Sequence, residues 1–409
     1  MIPLELDMLR DLVPGQWERA VWATDVTGVQ VDSRRIEEGD LFVAVGDGAA
    51  YTKHAFARGA AATLVPDEPF AALAAIAGAV RDRSAARFVA ITGSMGKTST
   101  KDILAAICAA QARTVAAERS FNAEIGVPLT VCRVEPDTEI CIVEMAMRGF
   151  GQIAELCAFT RPDIGVITNI GPVHLEQVGT LEGVARAKSE LIDALPSGGT
   201  AVVPADFAVS RTDVDVVRVG EDARLESFDP PLLRTSVGAT EINFSAQHLA
   251  VNAVSALATA RVLGLEIPAR LDVTFAEWRN QELPLPGGGL LVNDAWNANP
   301  LSMRAALEHL RTLAAGRRRI AVLGEMAELG GYSDDAHREV AEAVAEVGVD
   351  VLISVGERAR VYGGSHAADA DEALALLRAE LAPGDCVLVK GARVLGLERV
   401  ADALAGVTA

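Results

Sequence analysis

The stretch Ile91–Lys101, ITGSMGKTSTK, carries the residue types that hold polyphosphates. An apolar run, Arg87-Phe88-Val89-Ala90-Ile91, leads into a turn punctuated by Gly93 and Gly96, and an Ala- and Ile-rich helical pattern follows Lys97. A strand, a glycine-rich turn and a helix start, in that order, aim backbone N–H groups and the positive end of the helix dipole at an anion. Lys97 would bring a positive charge to the terminal phosphates, and Thr98 a hydroxyl to Mg²⁺. Gly93, Ser94, Gly96, Lys97, Thr98 and Ser99 are therefore the candidate nucleotide-binding residues. The usual loop pattern places a glycine five positions before the glycine of Gly-Lys, and Ile91 stands there, so the turn is a shortened variant. Local reading favours a nucleoside triphosphate, with an ordinary Gly-rich turn before a helix as the plain alternative.

Other strand ends hold further candidates, because ligands gather at the carboxyl ends of strands in open α/β sheets. The run ICIVEM ends in Glu144, which could hold Mg²⁺ directly or through water or simply cap a helix. The run VITNIGPVH ends in Asn169 and His174; the histidine is either a structural residue or a metal or substrate ligand. Lys188, in ARAKSEL, reads locally as a solvated charge. The helical segment QHLAVNAVSALA carries His248 and Asn252, and asparagine is a poor helix-interior residue, which suggests contact with a base or ribose. NDAWNANP collects Asp294, Asn297 and Asn299 after another strand, where ligand contact competes with turn chemistry. LVKGAR puts Lys390 and Arg393 at a last strand end, suited to an anion or to an ordinary basic turn.

The elements that must position these residues follow from the pattern. Residues 1 to about 84 hold short strands, DLFVAV and ATLVP, with a helical pattern near His54–Ala60 between them. Arg81–Arg87 reads as a polar linker. Strands and helices then alternate, the signature of a mostly parallel sheet covered on both faces. Leu283–Gly289, LPLPGGG, is rich in Pro and Gly and marks a second boundary, and a third α/β pattern runs on from it. The expected fold class is α/β in three domains: 1–84, 85–277 and 278–409.

Composition narrows the function. A chain of 409 residues supports two or three domains, and half of its residues are hydrophobic. The net charge of −19 argues against nucleic acid, which needs a basic face. Five scattered cysteines without a Cys-x-x-Cys pair read as reduced thiols of a cytoplasmic protein. The N-terminal stretch is acidic and does not read as a signal peptide, and no apolar run approaches the roughly 20 residues of a membrane span.

Taken together, these motifs resemble the Mur ligase family, and within it the MurF type, over essentially the whole length. TGSMGKTSTK is similar to the family's TG-x-x-GKTTTK, FNAEIGVPLT carries over Asn122, and the TNIGP-x-H segment carries over Asn169 and His174. VDSRR supplies Asp32, Ser33 and Arg34, which the resemblance links to the UDP end of the substrate. GEMAELG with His337 is a further MurF-like signature. Departures are Ala49-Ala50 where the family has His-Asp, Trp296 for tyrosine in DSYNANP, Asn293 before Asp294, and Ala392 for serine in KGSR.

The resemblance implies an ADP-forming ligase that joins D-alanyl-D-alanine to UDP-N-acetylmuramoyl-tripeptide through an acyl phosphate. The three domains then become a small N-terminal α/β domain for the UDP substrate, a central P-loop ATPase-like domain and a C-terminal Rossmann-like domain for the dipeptide. It further implies ATP and two Mg²⁺ ions held by Thr98, Glu144, His174 and a carbamylated Lys188, which reverses the local reading of that lysine. Asn252, Arg279, Asp294 and Asn297 would contact the nucleotide; Ser33, Arg34, Asn122, Asn169, Lys390 and Arg393 the other substrates. A monomer is expected. Two alternatives stay open: a Mur-family paralogue that ligates a different acid and amine, and a nucleotide-binding module without ligase chemistry.

Overall fold

The computed structural model describes residues 1–406. Three open sheets dominate it, each flanked by helices.

The N-terminal sheet has four strands in the order Gly15–Arg19, Ala62–Pro66, Asp40–Val43, Gly28–Gln30. Only the first pair is antiparallel. The helix Pro69–Arg83 follows, opened by Pro69 in its first turn, where the missing N–H costs nothing. It buries Leu73, Ile76, Ala77 and Val80, an i, i+3, i+4, i+7 stripe. The polar Arg81–Arg87 stretch is not a free linker: Arg81–Arg83 is the last turn of this helix and Arg87 opens a strand. The Arg81 guanidinium donates to the Thr160 carbonyl at 3.0 Å and lies 4.2 Å from the centre of the Phe88 ring. The polarity that suggests a linker is thus a buried tie, and one apolar core runs from Leu4 and Leu64 to Phe88 and Val143.

The central sheet has six strands, all parallel, in the order Asp215–Val219, Thr200–Pro204, Ile164–Ile167, Arg87–Thr92, Ile140–Glu144, Thr114–Ala116. The Arg87–Thr92 strand lies inside the sheet, so the loop that follows has strand ends on both sides. Its helix, Lys97–Ala109, packs on Gln247–Val262, whose Ala250, Ala253, Ala256 and Ala260 are all buried. Small side chains let the two helices approach closely. A four-stranded sheet of short segments within residues 225–271, which no sequence motif announces, also contacts the second helix.

The C-terminal sheet also has six strands, in the order Gln281–Leu285, Gly289–Asn293, Cys386–Lys390, Arg319–Gly324, Val351–Val355, Ser365–Ala367. Here LPLPGGG is a hairpin rather than a loose connection. Leu283–Leu285 belongs to an antiparallel edge strand, where Pro284 breaks no ladder that the sheet depends on. Gly287 (φ 74°) and Gly288 (φ 81°) make the turn in the left-handed region that only glycine enters cheaply. No described helix is long and apolar enough to cross a membrane. The five cysteines are buried and unpaired.

Candidate active site

The phosphate loop is built by close approach. A β-carbon on Gly93 would lie 1.9 Å from Thr168 Oγ1, and one on Gly96 (φ 77°) 2.4 Å from Asn252 Oδ1. Glycine is therefore required at both places for the loop to seat between the neighbouring strand end and the Gln247–Val262 helix. Asn169 grips the loop from the side: its Oδ1 accepts from Met95 N at 3.0 Å and its Nδ2 donates to Met95 O at 3.1 Å. Thr168 Oγ1 donates to the same carbonyl at 2.5 Å. Ser94 Oγ accepts from Gly171 N at 2.8 Å and donates to Gly171 O at 3.0 Å, so this hydroxyl braces the loop. Asn169 and Ser94 hold the loop in shape, a role that residue types alone did not distinguish from ligand contact.

Within the loop, Lys97 Nζ donates to Gly93 O at 2.8 Å. Burial pulls this lysine below its ordinary pKa against the attraction of Glu144, and Arg279 pushes the same way. Glu144 ends the strand beside the loop, in register with Ile91, and is fully buried. One of its oxygens accepts from Asn122 Nδ2 at 2.8 Å; the other, Oε2, is buried without a partner. A desolvated carboxylate oxygen left open beside Thr98 and Lys97 is costly unless something cationic meets it, so this donor set fits a divalent ion. No group of three or more His, Cys, Asp or Glu side chains with metal-binding geometry occurs among the described residues. A metal here must use hydroxyl, phosphate, water or a modified lysine as well.

Lys188 is the lysine placed for such a modification. It sits on the helix Leu181–Asp193, is 2 % exposed, and makes no ion pair among the described residues. Burial pushes its pKa well down, and the charge of Lys97 adds to the effect. It does not line the cavity itself but lies near enough to Lys97 and His174 for their charges to interact. A neutral, unpartnered amine is the form that reacts with carbon dioxide. His174 (φ 53°) has its Nδ1 2.7 Å from a carboxylate oxygen of Glu328, reached from the C-terminal sheet. Burial lowers the pKa of His174 and Glu328 opposes the shift.

The cavity as a whole, about 1050 Å³, draws on the central and C-terminal sheets and on the helix Pro69–Arg83. Asp294 and Lys390 pair at 2.5 Å, and Lys390 Nζ also donates to Asn297 O at 2.9 Å. Asn252 Nδ2 is buried and unpartnered, and His248 one turn away is pushed down to about 4 by burial, against the pull of Asp294. Both suit an uncharged ring with acceptor atoms. Arg279 Nη2 donates to Ser120 Oγ at 3.1 Å, and its guanidinium lies 5.4 Å from the Trp296 ring. Arg393 lies over Trp278 and Trp296 at 4.7 and 5.3 Å. Ser33 and Arg34 are not brought into this cavity. Ser33 Oγ lies 2.9 Å from His54 Nδ1, and Arg34 pairs with Asp32 at 2.7 Å. The next residue, Arg35, bridges to Glu118 at 3.1 Å, near the rim formed by Ser120 and Asn122.

Four residues of this arrangement were not among the candidates, although three of them stand inside the quoted motifs. Thr168 and Met95 are ordinary in sequence. Lys101, 2 % exposed, pairs with Asp102 at 2.8 Å and donates to the carbonyls of Ala117 and Arg119 at 2.7 and 3.0 Å. Asp102 in turn accepts from Ala276 N at 3.0 Å. This pair ties the loop helix to the Ser120 segment and to the linker, residues 272–280, that carries Arg279. A lysine repeating four positions after Lys97 was the available signal.

Residues 91–260 match the Mur ligase middle domain, and residues 278–393 the Mur ligase glutamate ligase domain. The UDP-N-acetylmuramoyl-tripeptide–D-alanyl-D-alanine ligase of Mycobacterium tuberculosis is 35 % identical, over 93 % of this chain and 92 % of the relative. The crystal structure of MurF from Acinetobacter baumannii superposes with a TM-score of 0.83 at 26 % identity, covering 99 % of each chain. That of MurF ligase from Thermotoga maritima in complex with ADP does so with a TM-score of 0.79 at 25 % identity, covering 93 % of this chain and 97 % of that one. A shortened phosphate loop, a buried acid one strand over, an unpaired buried lysine and full-length likeness to such ligases converge: this chain belongs to the Mur ligase family, in its MurF type.

Proposed function

We propose that the chain joins D-alanyl-D-alanine to UDP-N-acetylmuramoyl-tripeptide at the expense of ATP, through an acyl phosphate, in cytoplasmic peptidoglycan precursor synthesis. The observation that carries this reading is the open Glu144 oxygen beside Lys97 and Thr98 in a cavity that also takes residues from the C-terminal sheet. A phosphate site alone needs no such second wall; a site that must hold an acid and an amine together does. We propose further that the chain acts as a monomer.

Phosphoryl transfer is mainly positioning and charge neutralisation. Lys97 exchanges its bond to the Gly93 carbonyl for the terminal phosphate and spreads its charge. Thr168 and Asn169 keep Met95 and the loop N–H groups aimed while this happens. Arg279 faces the same region from the linker. Mg²⁺, held by Thr98 and Glu144 and at a second position by His174 and carbamylated Lys188, would neutralise charge on the transferring phosphoryl group. The substrate carboxylate oxygen bonds to the γ-phosphorus as ADP leaves; the dipeptide amine then bonds to the acyl carbon as phosphate leaves. We assign residues 1–84 to the UDP end, with Ser33 and Arg34 as its contacts, 85–277 to ATP, and 278–409 to the dipeptide through Lys390 and Arg393.

The test is phosphate release with ATP, the UDP-muramoyl tripeptide and D-alanyl-D-alanine supplied together or singly, with the product identified by mass. Release that requires both substrates, and a product heavier by one dehydrated dipeptide, is expected. A preference for another amine would point to a ligase of different specificity, and release with neither substrate would sink the ligase reading.

A further inference from the structure

The GEMAELG segment, Gly324–Gly330, plays no part in the steps above, yet it brings an acid to the reacting end of the cavity. It follows the Arg319–Gly324 strand, and Glu328 within it has φ 60°. A residue with a side chain holds that conformation at a cost, and such strain collects where a side chain must be aimed. The segment is pinned on both sides: Leu329 is buried, and a β-carbon on Gly330 would lie 3.1 Å from Glu176 Cα of the central domain. So placed, one Glu328 oxygen lies 2.7 Å from His174 Nδ1 and the other 3.5 Å from Arg148 Nε. The carboxylate itself is half exposed and lines the cavity, with coordination sites to spare.

The neighbouring strand end carries the opposite charge. Lys390 pairs in register with Leu323, Ala392 N donates to Glu325 O at 3.0 Å, and a β-carbon on Gly391 would lie 2.9 Å from Gly324 Cα. The GEMAELG and KGAR segments therefore move as one unit. Arg393 at its far side lines the same cavity, stacked on Trp278 and Trp296 and paired with Glu398. Two touching loops thus offer one carboxylate, next to the histidine of the activating site, and one guanidinium.

We propose that these loops are a clamp for a zwitterion, in which Glu328 binds the ammonium group of the incoming dipeptide and Arg393 takes its carboxylate. The inference rests on the dipeptide reading given under Proposed function. It gives a role to an acid held in a strained backbone: of the cavity's other acids, Glu144 accepts from Asn122 and Asp294 pairs with Lys390, while Glu328 stands on the amine side beside His174. It also places the amine nitrogen beside His174, where the acyl phosphate forms.

Three measurements on the full enzyme test it, with E328Q and E328D. The first is the KM for D-alanyl-D-alanine; E328Q raises it roughly 10- to 100-fold, the loss of a hydrogen bond to a charged group, and E328D recovers part of the loss. The second is inhibition by D-lactyl-D-alanine, which keeps the carboxylate and replaces the ammonium by a hydroxyl; its inhibition constant is the same for wild type and E328Q. The third is the burst of ADP formed with ATP and the UDP-muramoyl tripeptide but no dipeptide, which falls less in E328Q than the dipeptide KM rises. If E328Q weakens the hydroxyl analogue as much as the dipeptide, or abolishes the burst, Glu328 is only a tether between domains and the clamp is overturned. An unchanged dipeptide KM overturns it too while leaving the function standing. A wild-type enzyme that ignores D-alanyl-D-alanine refutes the function itself, and the clamp with it.

Discussion

Replacing Lys188 with methionine should strengthen the fold and destroy the activity. The lysine is buried and makes no ion pair among the described residues, so its amine gives up hydration without compensation. Mutational data put that penalty at about 1–3 kcal/mol for a polar group, and methionine fills nearly the same volume with no such group to desolvate. For a unit the size of the central domain, about 1–3 kcal/mol corresponds to roughly 2–10 °C in the unfolding midpoint. The pH dependence gives a second handle. Burial, aided by Lys97, depresses the folded-state pKa below the ordinary lysine value of 10.5. Between those two values the unfolded chain holds a proton that the folded one does not, so wild-type stability rises with pH by up to about 1.4 kcal/mol per pH unit. The advantage of K188M is therefore largest at the acid end of that window and falls to the penalty of the neutral amine as pH approaches the unfolded value. Differential scanning calorimetry in carbon-dioxide-free buffer, across roughly pH 7 to 9, reads both quantities. Turnover should fall on the order of 100- to 1000-fold, as for loss of one electrostatic stabiliser. A K188M protein that melts lower than wild type, or an advantage that grows with pH, would refute the reasoning; so would a variant that keeps its turnover.

Other substitutions probe the scaffold around the site. Asn169→Ala removes both hydrogen bonds to Met95 and should cost about 1–3 kcal/mol of loop order. The readout is a rise of roughly 5- to 100-fold in the KM for ATP; an unchanged KM would mean the loop holds itself. Gly96→Ala combines a left-handed φ with a contact of 2.4 Å to Asn252, so ADP binding by calorimetry should be lost while the far-ultraviolet circular dichroism stays native. Lys101→Met leaves Asp102 buried without its partner, an error worth about 3–5 kcal/mol, to be seen as a lowered urea midpoint.

Much of the phosphate site was legible because it is local. A strand, a short glycine turn and a helix are contiguous from Arg87 to Ala109, and their chemistry follows from residue order. Glu144 and Lys390 end strands and His174 lies in the loop after one, so residue order singles them out because strand ends of a parallel sheet converge. The polar stretch Arg81–Arg87 misled as a linker, and the proline-rich LPLPGGG, read as near a boundary, did not announce its hairpin, for one common reason. Local polarity and proline content report exposure and hydrogen-bond loss, not whether Thr160 waits to accept from Arg81 or whether a strand lies at an edge.

What the sequence determined by itself was the set of groups and the order of the elements, because backbone geometry and hydrophobic period are properties of neighbours in the chain. What only the tertiary structure decided was which groups are left without partners. Lys188 reads as a solvated charge until the packing around the Leu181–Asp193 helix removes its water. Asn169 and Ser94 read as ligands until Met95 and Gly171 occupy them. Glu328 is one acid among many until a left-handed residue carries it across to His174. Desolvation and pairing depend on atoms far apart in sequence, so they come into being only when the chain has folded.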